Sequence, residues 1–185
     1  KNVRADLAAL KEQGWESQLL RHLRYGGKVL GICGGYQMLG ETLADPLGLE
    51  GEAGTSCGLG LLPIHTELKS TKQLTQTSAT LLLDDTPLAV SGYEIHLGQS
   101  HTSSDGCLTG RPLLARADGT SDGWLSADKQ VAGCYLHGIL DSASALQAIV
   151  RWAGAEISEP PDHEQQQCAA IERLADAVEA HLDMA

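Results

Sequence analysis

The strongest constraint on the fold is a short apolar segment, residues 28–37 (KVLGICGGYQ), that runs through glycines and a cysteine into a helical pattern. Its first part, Val29–Ile32, is continuously apolar, as is typical of a strand buried on both faces of a parallel sheet. Small residues on both sides of Cys33 permit a tight strand-to-helix turn, at whose apex the side chain stands clear of the backbone. The positive end of the following helix dipole favours a thiolate there. We therefore predict that Cys33 is a nucleophile, with a packed structural thiol as the alternative.

Helical and strand patterns alternate over the rest of the chain. Helical periodicity covers residues 3–13, 15–25, 36–43, 139–152 and 162–182, and strand patterns cover residues 59–64, 80–83, 89–95, 113–116, 124–126 and 131–135. Glycine- and proline-rich residues 45–55 and polar residues 70–78 predict surface connections. A chain of 185 residues, 42% hydrophobic, is long enough for one core. We predict one domain over residues 1–185, α/β in class, with three α/β/α layers and a mostly parallel sheet.

The composition argues against several classes of partner. The net charge of −11 disfavours binding to nucleic acid, which needs clustered Lys and Arg side chains. No apolar run approaches the roughly 20 residues that cross a bilayer, and the first residues show no signal-peptide core. Five cysteines without a C-x-x-C pair fit a reducing compartment better than a disulfide framework. We expect a cytoplasmic protein with no nucleic-acid or membrane partner, and the sequence leaves a homo-oligomer open.

A histidine that could serve Cys33 as acid and base follows a second apolar strand. Residues 131–136 are apolar, and His137 comes directly after them. In an α/β sheet, functional groups gather beyond the carboxyl ends of strands, which is also where the turn places Cys33. A thiolate that attacks a carboxamide needs a partner that protonates the leaving amine. We therefore predict that Cys33 and His137 are neighbours in space, although a histidine taken alone is more often structural.

Three motifs occur in order along the chain: G-x-C-x-G-x-Q at residues 31–37, S-G-Y-E-I-H-L-G at residues 91–98 and G-C-Y-L-H-G-I-L at residues 133–140. The first resembles the nucleophile elbow of class I, or triad-type, glutamine amidotransferases. The other two narrow the resemblance to the C-terminal amidotransferase domains of the cobyric acid synthase family, which belongs to cobalamin biosynthesis. The resemblance covers nearly the whole chain and implies a flavodoxin-like class I amidotransferase fold.

The resemblance also implies roles for residues of the first and third motifs. In such enzymes the cysteine attacks the side-chain amide of glutamine, a glutamyl thioester forms, ammonia leaves and water releases glutamate. Cys33 would be the nucleophile, and His137 would be the acid and base. The backbone amide of Gly34 would donate to the oxyanion, as the residue after an elbow nucleophile does. Gln37 would contact the bound glutamine, unless it is only a polar residue at the start of a helix.

The third motif departs from the wider class at the residue that orients the histidine. Class I amidotransferases generally carry a glutamate two residues after it, where this chain has Ile139. Cobyric acid synthases and their relatives also lack this glutamate, so the departure supports the narrower resemblance and predicts a weaker base than a full triad. Asp141 lies near His137 in sequence and is a candidate to orient it, but we expect Asp141 or Ser142 to cap the helix that follows.

A second departure lies at the start of the chain. Members of the class place a strand and a glycine-bearing loop, which donates the other oxyanion amide, before the position of Lys1. We therefore expect an N-terminally truncated fold, a fragment of a longer chain that is nearly inactive alone. No G-x-x-x-x-G-K-S/T phosphate-binding motif occurs, so we expect no cofactor in this domain. The resemblance implies that ATP, magnesium and the corrinoid acceptor bind a synthetase domain, which receives the ammonia released from glutamine.

The second motif has no role that its residues alone define. Alternation along a strand places Tyr93 on one face and Glu94 and His96 on the other, where the acid and the imidazole form a potential ion pair. The resemblance favours a role at the glutaminase site or at a domain interface. A metal site of His96, His101 and Cys107 matches no established ligand spacing, so we expect no metal.

Four functions remain open on the sequence. The first is a glutaminase that supplies ammonia for ATP-dependent amidation of corrin-ring carboxylates. The second has the same chemistry with another acceptor, as in cobyrinic acid diamide synthases and cell-wall glutamine amidotransferases; the motif at residues 93–98 favours the first. The third is a catalytically silent scaffold, which an intact Cys33 and His137 argue against. The fourth is a cysteine peptidase of similar topology without preference for glutamine.

Overall fold

The computed structural model describes residues 2–103, 108–161 and 163–182. The helices in these segments are α1 (Val3–Glu12), α2 (Trp15–Arg24), α3 (Gly34–Leu39), α4 (Ala143–Trp152) and α5 (His163–His181). The strands are β1 (Val29–Ile32), β2 (Thr42–Asp45), β3 (Gly54–Cys57), β4 (Ile64–Leu81), β5 (Leu88–Thr102), β6 (Gly110–Arg111), β7 (Leu114–Arg116), β8 (Ser121–Asp122), β9 (Trp124–Ser126) and β10 (Val131–Cys134). Helices thus dominate the two ends of the chain, and strands occupy its middle.

The strands form two sheets. One has the order β1-β10-β9-β6, and the other has the order β3-β2-β4-β7-β8 with β5 paired to β4. Of the eight pairings between described strands, only β1 with β10 and β2 with β4 are parallel. The α/β class is therefore confirmed, whereas the mostly parallel sheet that we predicted is wrong. Parallel neighbours usually need a helical crossover, and the described chain between β2 and β10 contains no helix, so hairpins and loops produce antiparallel pairs.

The parallel pair of β1 and β10 forms the centre of three layers. Alternate residues of a strand face opposite sides. Val29 packs in the cluster that contains Tyr36 of α3. Leu30 and Ile32 pack in the cluster that contains Ile149 of α4. The predicted α/β/α layering is therefore present here, and burial on both faces explains why the two strand segments are continuously apolar.

Two predicted elements near the start of the chain have different bounds in the structure. The helix predicted over residues 36–43 is shorter, because α3 ends at Leu39 and Gly40 has an extended backbone. Strand β2 follows, and its residues alternate between half-buried and buried, a period of two that is hard to recognise in four residues. The strand predicted over residues 59–64 is mostly a loop that leads into β4.

The polar stretch at residues 70–78, which we predicted to be an exposed connection, is part of a strand. It belongs to β4, which pairs with β5 as a long antiparallel hairpin that ends at the pair Leu81 and Leu88. Most side chains of this stretch are exposed. Because both faces contact solvent, the stretch lacks the polar and apolar alternation that identifies a half-buried strand.

The C-terminal helix α5 carries the apolar stripe that its periodicity predicts, but the stripe is exposed. Ile171, Leu174 and Leu182 are each more than half exposed. Among the helices of the described segments, none combines the length and the apolarity that a bilayer crossing requires.

Candidate functional site

The turn after β1 holds Cys33 in a backbone conformation that non-glycine residues rarely adopt. Its φ is 54° and its ψ is −109°, and such conformations cost of order 1–3 kcal/mol. The Cys33 N–H donates to the Cys134 carbonyl oxygen at 2.9 Å, which ties the turn to β10. A Cβ atom on Gly31 would lie 2.6 Å from a Leu39 methyl and 2.8 Å from the Tyr36 nitrogen. The predicted strand-to-helix turn is therefore present, with α3 packed tightly against β1.

Cys33 and His137 line one cavity of about 560 Å³. In the parallel pair of β1 and β10, Ile32 lies opposite Cys134, so residues just beyond the two carboxyl ends reach the same edge of the sheet. The full lining comprises Ile32, Cys33, Gly34, Leu49, Glu50, Lys72, Ile95, His96, Leu97 and His137. The structure thus brings Cys33 and His137 to one cavity, as predicted, and such a thiol and imidazole can form a nucleophile and acid–base pair.

Strand β5 lies against both of these residues. The Cys33 Sγ is 3.6 Å from the Ile95 carbonyl oxygen and can donate a hydrogen bond to it. His137 and Tyr93 form a backbone bridge, in which the His137 N–H donates at 2.8 Å and the Tyr93 N–H donates at 3.1 Å. The sequence left two roles open for the motif at residues 93–98, one at the glutaminase site and one at a domain interface. The contacts of β5 with Cys33 and His137 favour the role at the glutaminase site.

Glu94 and His96 lie in contact on one face of β5, as strand alternation predicted. The His96 Nε2 lies 3.4 Å from a Glu94 carboxylate oxygen, and both side chains are largely buried. The His96 Nδ1 lies 2.7 Å from the Gly98 carbonyl oxygen. The hydrogen bond with His96 lowers the pKa of Glu94; burial opposes this effect, and a hydrogen bond from Arg116 adds to it. Glu94 is therefore an ionised partner of His96 at neutral pH.

A second cavity, of about 850 Å³, shares His96 with the first one. Its charged lining includes Glu94, Arg116 and Asp122. Burial, reinforced by repulsion from Glu94, raises the pKa of Asp122 to about 6. The Asp122 carboxylate lies 3.9 Å from Arg116 and accepts the Tyr135 N–H at 3.0 Å. Because these charges contact one another, they form a network that supports the part of β5 that carries His96.

Gln37 lies in the core and does not line the cavity of Cys33. Its side chain is 1% exposed, and its amide nitrogen donates to the Tyr135 hydroxyl at 3.1 Å. A Cβ atom on Gly98 would lie 2.2 Å from this nitrogen, so β5 packs directly on the amide. The side-chain oxygen Oε1 of Gln37 has no hydrogen-bond partner among the described residues. Gln37 therefore packs between Tyr135 and β5 and is not among the residues that line the cavity, and its contact with bound glutamine stays a prediction.

Two charged residues of the cavity, Glu50 and Lys72, were not identified from the sequence. Glu50 lies in the loop after β2, which Asp45 organises by accepting the Leu49 and Glu50 N–H groups at 2.8 and 3.0 Å. Burial opposes the ionisation of Asp45, but these hydrogen bonds outweigh it and lower the pKa. One Glu50 oxygen accepts the Val3 N–H at 2.8 Å. The loop therefore presents Glu50 to the cavity in a fixed position.

Lys72 reaches the cavity from an irregular part of β4. The register of β4 against β5 shifts between Leu68 and Gln73, and such bulges commonly redirect a side chain next to a functional site. A single lysine in a polar stretch has no spacing that would mark it as a ligand, so no signal in the sequence could have identified it.

The position two residues after His137 contributes to the core and not to the site. Ile139 is 1% exposed and packs in the cluster that includes residues of α4. Of the two predicted N-cap candidates for α4, Asp141 and Ser142, the structure has Ser142 at that position. The Asp141 N–H donates to the Gly138 carbonyl oxygen at 2.9 Å, and its carboxylate lies beside Gly138. The backbone therefore makes a sharp turn between His137 and α4.

No group of three or more His, Cys, Asp or Glu side chains in the described segments is arranged to hold a metal ion. His101 is exposed and lines the second cavity, and Cys107 lies outside the described residues. Cys57 and Cys168 are exposed thiols, whereas burial raises the pKa of Cys134.

The fold is shared with solved structures whose sequences are only distantly similar. One, described as a crystal structure of glutamine amidotransferase, superposes with a TM-score of 0.56 at 15% identity and covers 84% of this chain and 76% of that chain. PurLQS from Thermotoga maritima superposes with a TM-score of 0.52 at 13% identity, over 74% of this chain and 67% of that chain. The fold is therefore that of the class I glutamine amidotransferases.

Sequence comparison narrows this class to one family. Residues 1–145 match the CobB/CobQ-like glutamine amidotransferase domain. The chain is also 53% identical, over 195 aligned positions, to the cobyric acid synthase of Shewanella oneidensis, with all of this chain and 38% of that protein covered. The chain belongs to the CobB/CobQ-like glutamine amidotransferase domain family, and it spans 38% of the length of this relative.

Proposed function

We propose that the chain is the glutamine-hydrolysing domain of a cobyric acid synthase, with Cys33 as the nucleophile and His137 as the general acid and base. The observation that carries the proposal is the arrival of both side chains at one cavity, beyond the carboxyl ends of two parallel strands. The strained backbone of Cys33 supports it, because such strain is concentrated at functional positions.

The first half of the reaction releases ammonia. The Cys33 thiolate attacks the side-chain carboxamide carbon of glutamine, a C–S bond forms and the carbonyl oxygen becomes an oxyanion. The protonated His137 then donates its proton to the amide nitrogen as the C–N bond breaks, so that ammonia leaves and a glutamyl thioester remains.

The second half of the reaction restores the enzyme. The neutral His137 accepts a proton from water as the water oxygen attacks the thioester carbon. The C–S bond breaks, glutamate leaves, and the Cys33 thiolate and protonated His137 are regenerated. Thiol, imidazole and water complete this cycle, so we place ATP and magnesium at the amidation step in another part of the protein.

Gly34 has the position expected of an oxyanion donor. It is the first residue of α3 and lines the cavity next to Cys33. The first N–H groups of a helix have no acceptor within the helix, and a backbone N–H beside the nucleophile stabilises the charge that develops on the carbonyl oxygen. We therefore assign the Gly34 amide to the oxyanion.

The two charged residues of the lining match the two charged groups of an amino acid. Lys72 would pair with the α-carboxylate of glutamine, and Glu50 would pair with its α-ammonium group. A cavity of about 560 Å³ accommodates a small-molecule ligand of this size. Such pairing distinguishes free glutamine from a glutamine residue in a peptide, whose α-groups carry no charge, and so disfavours the peptidase alternative.

The acceptor of the ammonia is inferred from the relative. The cobyric acid synthase of Shewanella oneidensis is 53% identical to this chain, which supports ATP-dependent amidation of corrin-ring carboxylates in the complete protein. The chain would then serve a synthetase domain, to which it supplies ammonia.

Covalent labelling of the natural full-length protein tests this function. The reagent is a glutamine analogue that carries an electrophilic carbon in place of the carboxamide, and peptide mass spectrometry reads the modified residue. We expect modification of Cys33 that free glutamine slows and that Cys33→Ser abolishes, because the analogue uses the glutamine site and the activated thiol.

The exposed Cys57 provides a matched control. Cys57→Ser should leave the labelling of Cys33 unchanged. Modification spread over the exposed thiols, or a rate at Cys33 that glutamine does not change, would contradict the proposed function.

A further inference from the structure

The Tyr93 ring covers one face of the His137 ring. Their centroids are 5.0 Å apart and their planes differ by 6°, which is a parallel stack. The two residues also exchange backbone hydrogen bonds, at 2.8 Å from the His137 N–H and at 3.1 Å from the Tyr93 N–H. Tyr93 therefore contacts both the main chain and the side chain of His137.

The neighbouring Gly92 makes this contact possible. A Cβ atom on Gly92 would lie 1.9 Å from the His137 carbonyl oxygen, so any side chain there would force β5 away from the segment after β10. The absence of that side chain allows Tyr93 to approach His137 closely enough to form the bridge.

We propose that Tyr93 is the positioning residue of His137 and takes the part that a carboxylate has in a full triad. The proposal rests on the proposed function, in which His137 transfers protons. At the position where the wider class carries its glutamate, this chain has Ile139, which is buried in the core. The sequence motif that had no assigned role thereby receives one.

Stacking suits this role because it restrains the ring without occupying its polar edge. Both imidazole nitrogens lie in the ring plane, so a contact on the face leaves them able to point towards the Cys33 sulfur and the substrate. The face of a tyrosine ring also attracts a cation. It therefore stabilises the imidazolium form that His137 takes when Cys33 is a thiolate.

Tyr93 contributes little to the core. Its side chain is 48% exposed, and it belongs to none of the hydrophobic clusters of the described residues. Removal of its ring should therefore change turnover more than stability, which separates a positioning role from a structural one.

The experiment compares ring-free and ring-retaining variants in the natural full-length protein, with steady-state release of glutamate from glutamine as the measurement. Tyr93→Leu and Tyr93→Thr remove the ring, and Tyr93→Phe keeps it. We expect the ring-free variants to lose about tenfold in kcat, the size of one aromatic contact, with KM changed by less than about threefold. Tyr93→Phe should rescue most of the activity.

Three further variants make the result decisive. Tyr25→Leu removes an exposed tyrosine at the end of α2 and should leave kcat unchanged. If His137→Asn is inactive while both ring-free variants keep the wild-type kcat, the role of Tyr93 is refuted and the proposed function stands. If Asp141→Asn lowers kcat and Tyr93→Leu does not, Asp141 and not Tyr93 orients the His137 ring. Full activity of His137→Asn would refute the proposed function itself.

Discussion

Lys72 provides the sharpest test at the scale of single residues. If its ammonium group binds the α-carboxylate of glutamine, Lys72→Ala should raise KM by about tenfold and change kcat little, because one charge-assisted hydrogen bond of an exposed side chain is lost. Steady-state glutaminase kinetics measure both parameters. Lys69→Ala is the matched control, because Lys69 lies on the same strand, pairs with Glu67 and does not line the cavity. An unchanged KM in Lys72→Ala would remove Lys72 from the binding site.

Residues that occur in a local pattern were predictable, and those placed by the tertiary fold were not. Glycines around Cys33 and the apolar strand before His137 indicate their positions directly. Glu50 and Lys72 reach the cavity through a loop and a bulge, for which the sequence has no periodic signal. Gln37 belongs to a motif that was recognised in the sequence, but the motif did not predict that its side chain would contact Tyr135 beneath β5.

At the scale of elements, the packing of β1 on α3 depends on Gly31. A Cβ atom there would meet the backbone of α3 within 2.8 Å, whereas one on Gly35, inside α3, has nothing within 4 Å. We expect Gly31→Ala to lower the free energy of unfolding by about 1–3 kcal/mol through overpacking. Gly35→Ala should leave it unchanged or raise it by up to about 1 kcal/mol, because alanine favours the helix.

Urea unfolding of the two variants under the same conditions measures this difference. Equal stability of Gly31→Ala and Gly35→Ala would show that the strand and the helix can separate without cost, and it would contradict the account of the turn.

Some secondary-structure elements were predicted correctly from the sequence and others were not, for physical reasons. The strands Trp124–Ser126 and Leu114–Arg116 lie within the predicted ranges, because each carries a buried apolar side chain, Leu125 or Leu114. Residues 70–78 of β4 were not predicted to be a strand. Hydrogen bonds to β5 define this part of the strand, and most of its side chains are exposed to solvent, so it has no apolar periodicity. Continuous apolarity did identify β1 and β10, which form a parallel pair, but the remaining strands lack such runs, so the pattern gave no basis for predicting a mostly parallel sheet.

At the level of the whole molecule, the order and direction of the strands bring the residues of the site together. Cys33 and His137 are far apart in sequence, and the parallel register of β1 and β10 brings them to one edge of the sheet. Strand β5 then crosses beside both, with Ile95 at the sulfur and Tyr93 at the imidazole. The second cavity supports the same strand through the charges around His96. The proposed glutaminase site therefore depends on three distant segments of the chain.

We infer that this topology makes Cys33 and His137 act as one unit on glutamine. A double-mutant cycle of Cys33→Ser and His137→Asn, read as kcat/KM for glutamate release by the full-length protein, tests it most directly. We predict that each single variant loses about 10³-fold or more and that the double variant is no worse than either, because residues that act together are not additive. Near-wild-type turnover in His137→Asn, or two losses that multiply in the double variant, would contradict the claim.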